Sequence, residues 1–226
     1  MLDFVGGEVL LFDKPQYWTS FDLVKRVRGT ILRKLNIKKI KVGHAGTLDP
    51  LATGLMIICT GNATKQIEIF QYLPKKYDAT FFLGATTPSF DLETEIDKKY
   101  NTEHLSDELV YNAINVFKGT FKQKPPDFSA KFINGKRAYE FARKGKEIHL
   151  KPSLITIYNL EIVEFNTPIL KVIIKCSKGT YIRALARDLG IKLNSGAHLI
   201  ELKRTGIGEF NLDKAMTFSE FENFLK

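Results

Sequence analysis

Gly43 to Gly54 read GHAGTLDPLATG and run directly into Leu55 to Gly61, LMIICTG. Three glycines, one proline, one histidine and a single carboxylate occupy the first twelve of these residues. The seven that follow are almost wholly apolar, the pattern of a strand buried on both faces. A glycine-rich stretch therefore leads into a buried strand. Gly43, Gly46 and Gly54 open backbone angles closed to other residues, and Pro50 fixes the turn just after the acid. Such a loop can hold Asp49 at the floor of a cleft, close to a bulky substrate. Spacing alone reads Asp49 as readily as a turn cap, as in many Asp-Pro pairs.

Upstream of the loop, EVLLFDKP reads as a short strand closed by proline. Thr19 or Ser20 then caps a helix whose apolar positions Phe21, Val24, Val27, Ile31 and Leu35 recur at helical spacing. Downstream, ATKQIEIFQYL predicts a helix, YDATFFLGA a strand and TTPSFDLETEID a polar turn region. Ser106 caps an amphipathic helix through Val116. Two strands follow in LITIYNLEIVEF and ILKVIIKCS, the second pointing Leu170, Val172, Ile174 and Cys176 inward against Lys171 and Lys175. After SKGTYIR a helix puts Ile182, Leu185, Ala186, Leu189 and Leu193 on its core face, and HLIELKR and FSEFENFLK supply a last strand and helix. Neither a repeat nor a Pro/Gly/Ser-rich linker divides the chain. The expectation is one α+β domain over residues 1–226 with a mostly antiparallel sheet. Residues 123–151, dense in Lys and Arg with interleaved aromatics and two adjacent prolines, read as a basic arm on its surface.

Composition narrows the function classes. With 34 Lys+Arg against 25 Asp+Glu the 226 residues carry +9, which suits a polyanionic partner. Cys59 and Cys176 end apolar strand-like runs and read as buried, reduced thiols. The acidic start MLDFVGGEVLLFDKP is unlike a signal peptide, and no apolar run is long enough for a membrane span, so a soluble intracellular protein is expected. The motifs GxxxxGK[ST], GxGxxG after a strand, CxxC and HExxH are missing, and His44, His104, His149 and His198 are scattered, so no metal is expected. What remains is Asp49. A carboxylate removed from water needs a cation. Arg183, in the first turn of its helix and on the face away from Ile182 and Leu185, is the candidate, whereas Arg187 is placed to pair with an acid along the same helix.

Several segments together resemble one family. VLLFDKPQYWTSFDLV, GHAGTLDPLATG followed by CxGxATK, KKYDATFFLG, FSAKFINGKRAYEFARKG and KCSKGTYIRALARDLG, continuing to LIELKRTGIGEF, look like the TruB family in its own order over nearly the whole chain. Its members make pseudouridine at position 55 in the T arm of transfer RNA. The resemblance implies a pseudouridine synthase fold: a mixed, mainly antiparallel sheet flanked by helices and loops. It implies a catalytic acid at Asp49, acting as nucleophile or first as a base on the ribose. Tyr77 would stack on the target base and assist proton removal, and Arg183 would be the basic partner. Tyr181 and Leu202 would line the base pocket, His44 would fill space vacated in the RNA stack, and Lys14 would contribute to RNA binding. Tyr77 and Leu202 could also be core residues and His44 a turn residue. No cofactor is implied, and a cytoplasmic monomer is expected. Two departures stand out. The family's common KPxGxTS turn reads KPQYWTS here, with Tyr17 in place of glycine, so its local backbone is expected to differ. The additional RNA-binding domain of the PUA type found in longer members is expected to have no counterpart here. Rival readings are an RNA-binding module without catalysis and a nucleoside hydrolase that releases free uracil.

Overall fold

The fold was obtained as a computed structural model that describes residues 2–129, 131–133, 135–144, 146 and 150–225. Its chain divides into two compact units, Met1–Asp78 with Leu202–Lys226 and Ala79–Glu201.

The first unit opens with β1 (Val9–Lys14), ended by Pro15, and α1 (Ser20–Leu35). Thr19 is the N-cap of α1. Its hydroxyl accepts from the Asp22 amide at 3.0 Å while the Asp22 carboxylate accepts from the Thr19 amide at 2.9 Å, so two otherwise orphaned donors are satisfied reciprocally. Asn36, in the left-handed region at φ 51°, closes the helix. The buried face comprises Ser20, Leu23, Val24, Val27, Thr30 and Ile31. Phe21 and Leu35, expected inside from their spacing, are exposed, because Leu23 and Thr30 occupy the buried arc instead. Next come β2 (Val42–His44) and β3 (Thr53–Thr60). The single helix expected over ATKQIEIFQYL is a 3-10 turn, Gly61–Gln66, followed by α2 (Ile67–Tyr72). The Thr64 hydroxyl donates to the Gly61 carbonyl at 2.7 Å, a local bond that competes with α-helical pairing. Finally β4 (Lys75–Leu83) runs from this unit into the second.

The second unit continues with the short pair β5 (Ala85–Thr86) and β6 (Lys98–Lys99), α3 (Asp107–Asn115) and β7 (Gly119–Gln123). Within the basic arm lie β8 (Phe132–Ile133), β9 (Lys136–Arg137) and α4 (Ala138–Ala142). Positions 130, 134, 145 and 147–149 of that arm, His149 among them, fall outside the described residues. The unit closes with β10 (Ser153–Asn166), β11 (Ile169–Cys176), α5 (Ile182–Lys192) and the first part of β12 (Ala197–Ile207). Its strands lie in the order β12, β4, β11, β10, β7. β10 pairs antiparallel with both β11 and β7. Leu170, Val172, Ile174 and Cys176 are buried as their alternation predicts.

The chain returns to the first unit with the remainder of β12, β13 (Phe210–Asn211) and α6 (Phe218–Phe224). Here β3 is central. It pairs antiparallel with β1, from Val9 opposite Cys59 to Lys14 opposite Gly54, and with β2, and parallel with β12 through Lys203–Thr53 and Arg204–Gly54. Leu55 to Cys59 are fully buried, which accounts for the unbroken apolar run in the sequence. On the other side, Phe221 packs edge-on against Phe12 at 5.2 Å and Phe4 at 6.1 Å.

Candidate active site

The loop between β2 and β3 is fixed from three directions within the first unit. From α1, the Ser20 hydroxyl accepts from the Leu48 amide at 2.8 Å and donates to the Leu48 carbonyl at 3.0 Å. From the turn before α1, the Tyr17 amide donates to the Pro50 carbonyl at 2.7 Å. From β12, the buried Arg204 guanidinium donates to the carbonyls of Leu55 at 2.7 Å and Gly46 at 3.1 Å. The Ala52 amide closes a turn onto the Asp49 carbonyl at 3.1 Å, with Pro50 in the position its ring favours. Half-buried Asp49 therefore sits on a backbone whose neighbours on both sides are tied down. Gly54 makes this possible: at φ 103° it lies against β12 so closely that a Cβ would run into the Arg204 backbone.

Lys14 ends β1 beside this loop and is 0% exposed. Its ammonium donates to the carbonyls of Trp18 at 2.7 Å, Pro15 at 2.9 Å and Pro50 at 3.4 Å, which engages all three protons. Burial lowers its pKa to about 8; the Asp49 carboxylate opposes that shift and the Arg204 charge adds to it. Asp49 thus lies near a buried lysine that is still mostly charged at neutral pH and loses its proton at about pH 8, below the ordinary lysine value of 10.5. His44, half-buried at the end of β2, has its pKa lowered by burial and by the nearby Arg204, so the ring is neutral at pH 7. Its Nδ1 is enclosed with no hydrogen-bond partner among the described residues. Tyr77 is buried on β4, and Leu202 is half-buried on β12 two residues before Arg204.

In the second unit, Tyr181 is the N-cap of α5, and the Gln123 side chain clamps its backbone, accepting from the Tyr181 amide at 2.9 Å and donating to its carbonyl at 3.1 Å. Arg183 is 4% exposed, so the face it occupies is enclosed although it lies away from Ile182 and Leu185. Its guanidinium pairs with Asp91 at 3.5 Å and donates to the Ser89 carbonyl at 3.2 Å. Arg187 pairs with its neighbour Asp188 at 2.7 Å, as expected for an acid along the same helix.

Sequence reasoning missed Arg204 and Asp91. Arg204 was legible in principle, since it shares with Leu202 one side of the β12 alternation. Asp91, inside TTPSFDLETEID, carried no signal that set it apart from its exposed acidic neighbours.

The model of the TruB family pseudouridylate synthase N-terminal domain matches residues 33–182. The chain belongs to the TruB family. The model of the tRNA pseudouridylate synthase B C-terminal domain matches residues 183–226. Among TruB family relatives, tRNA pseudouridine synthase B of Parabacteroides distasonis is 59% identical over 225 residues, 100% of this chain and 96% of the relative. The proteins of the same name from Phocaeicola vulgatus and Flavobacterium johnsoniae are 58% and 47% identical, each over 99% of this chain and over 95% and 98% of their own lengths. Among solved structures, a chain of a Cbf5-Nop10-Gar1 complex superposes with a TM-score of 0.71 at 23% identity, covering 98% of this chain and 55% of that one. A chain of an H/ACA RNP bound to a substrate RNA gives 0.69 at 23% identity, covering 98% and 54%. These two show that the TruB family chain shares their fold.

Proposed function

We propose that this chain converts uridine at position 55, in the T arm of tRNA, to pseudouridine. The observation that carries the reading is the tethered Asp49 loop in a TruB family chain that is 59% identical, along its whole length, to a tRNA pseudouridine synthase B. A folded T arm hides the glycosidic bond, so the nucleotide turns out of the stack at a cost of roughly a few kcal/mol. Stacking on Tyr77 returns about 1–3 kcal/mol. Asp49 supplies the electron pair, as nucleophile at C1′ or as base on the ribose. The N1–C1′ bond breaks, the uracil rotates, and the C5–C1′ bond forms. C5 loses a proton and N1 gains one, so the nucleotide keeps its composition and the reaction calls for no cofactor. Arg183 serves as the basic partner, held in place by Asp91. Tyr181 and Leu202 line the base, neutral His44 fills the gap in the RNA, and Lys14 acts through the backbone carbonyls it holds. The basic arm at 123–151 grips the RNA, and the chain works as a cytoplasmic monomer. No helix among the described residues is long and apolar enough to cross a membrane.

Purified protein is incubated with an unmodified tRNA transcript, and pseudouridine is mapped by carbodiimide-dependent reverse-transcription stops. A stop at the T-loop uridine is expected with the native chain and none with Asp49→Asn. Equal stops with the variant refute the assignment of Asp49. Release of free uracil identifies a hydrolase, and binding without a stop identifies a module without catalysis.

A further inference from the structure

The segment KRVRGTILRKLNIKKIK, residues 25–41, holds eight Lys or Arg and no Asp or Glu. It covers most of α1 and the connector to β2. Lys25, Arg26, Arg33, Lys38, Lys39 and Lys41 are exposed. On α1 the buried residues occupy one arc, and Lys25, Arg26 and Arg33 project from the opposite one. Arg33 approaches Glu222 at 3.8 Å, but both side chains are well exposed, so this pair neutralises little of the surface charge.

The start of the helix adds aromatic surface. Tyr17 is 74% and Phe21 63% exposed. The Arg26 guanidinium stacks 4.2 Å from the centroid of the Trp18 ring. Tyr17 adopts φ 68°, the left-handed conformation that a glycine would adopt without strain. The substitution in KPQYWTS has therefore kept a glycine-type backbone beneath a tyrosine. Its ring is largely in solvent, so burial does not offset the strain; a strained and exposed aromatic residue fits a role in contact with a ligand.

Position completes the argument. Tyr17 and Ser20 are hydrogen-bonded to Pro50 and Leu48, on either side of Asp49. The sixteen residues of α1 extend about 24 Å from that loop at 1.5 Å per residue. A row of exposed cations, headed by stacking rings and starting where the target nucleotide is worked on, complements a phosphodiester backbone. We propose that the outer face of α1, continued through Lys38–Lys41, is a docking rail for the tRNA backbone outside the flipped nucleotide. This rests on the tRNA reading above.

The test measures the affinity of the full chain for an unmodified tRNA transcript across a KCl series. The variant Lys25→Gln/Arg33→Gln/Lys38→Gln/Lys39→Gln is expected to bind at least about tenfold more weakly near 0.1 M salt. Its log–log salt slope should be shallower by about 3, as each of the four lost phosphate contacts removes roughly 0.7–0.9. The loss should appear in KM. Tyr17→Gly is expected to lower affinity severalfold with the slope unchanged and the thermal midpoint equal or higher, a combination that a purely structural tyrosine would not give. Unchanged affinity and slope in the fourfold variant overturn the rail while the native chain still modifies tRNA. If the variant instead loses binding to phosphatidylserine vesicles and keeps its tRNA affinity, the face serves a membrane and the proposal is wrong. A native chain that neither binds nor modifies tRNA defeats the functional reading and the rail together.

Discussion

Around Asp49 two buried cations and one carboxylate share a small volume, and their coupling has measurable signs. The Asp49 charge raises the Lys14 pKa against the effect of burial. Asp49→Asn should therefore move the Lys14 ammonium titration, followed by NMR of the Nζ group, below its native midpoint near 8; an unmoved midpoint would show that the two charges do not sense each other. The same group makes stability depend on pH. Below about 8 both folded and unfolded chains carry the Lys14 proton, and the full cost of burying the charge is present. Between about 8 and the ordinary value of 10.5 the unfolded chain still binds a proton that the folded chain has released, so this group's contribution to stability rises with pH. Urea denaturation between pH 7.5 and 9.5 should show Lys14→Met losing that rise relative to the native chain. In the other unit, Asp91→Ala takes the carboxylate from a buried guanidinium, and a loss of about 3 kcal/mol is expected in the same assay. A loss under about 1 kcal/mol would mean that the remaining contacts of Arg183 suffice. Asp49 and Arg183 could be singled out as candidates because they sit in distinctive strings. Asp91 was not, because the partner that marks a buried charge lies far away in sequence; Arg204 had only its shared side of β12 with Leu202 to mark it.

Elements were read best where one property dominates. The unbroken apolar run of β3, the capping residues Thr19 and Ser106, and the alternation of β11 all appear in the structure as the sequence predicts. β7, GTFKQ, escaped detection because it lies at the end of its strand order, mostly exposed, and has no apolar alternation. Phe21 was assigned to the core because helical spacing alone does not say which side of an apolar arc ends in solvent. Two backbone predictions belong at this scale. Gly54→Ala meets both an unfavourable φ and the backbone of β12, so a destabilisation above about 2 kcal/mol is expected by chemical denaturation. Tyr17→Gly should go the other way, by up to about 1 kcal/mol, since relief of left-handed strain exceeds the added entropy of the unfolded chain.

For the whole molecule, the net charge of +9 makes association with tRNA an ionic-strength measurement before it is anything else. Affinity should fall at least about tenfold between 50 and 200 mM KCl, as release of counterions demands when several phosphates are engaged; a flat profile would point to recognition without backbone contacts. Composition showed this much, and the order of motifs showed the family. The division into two units was not legible, because β4 and β12 pass from one to the other without any break in pattern.

That division has a temporal side. The first unit takes its opening strand and helix from residues 1–78 and the phenylalanine that covers them, Phe221, from 202–226. A ribosome adding roughly 5–20 residues per second must make residues 79–201 in between, a delay on the order of ten seconds. Throughout that interval the emerging chain carries the face around Phe4 and Phe12 without Phe221, so that face stays uncovered until residues 202–226 have been made.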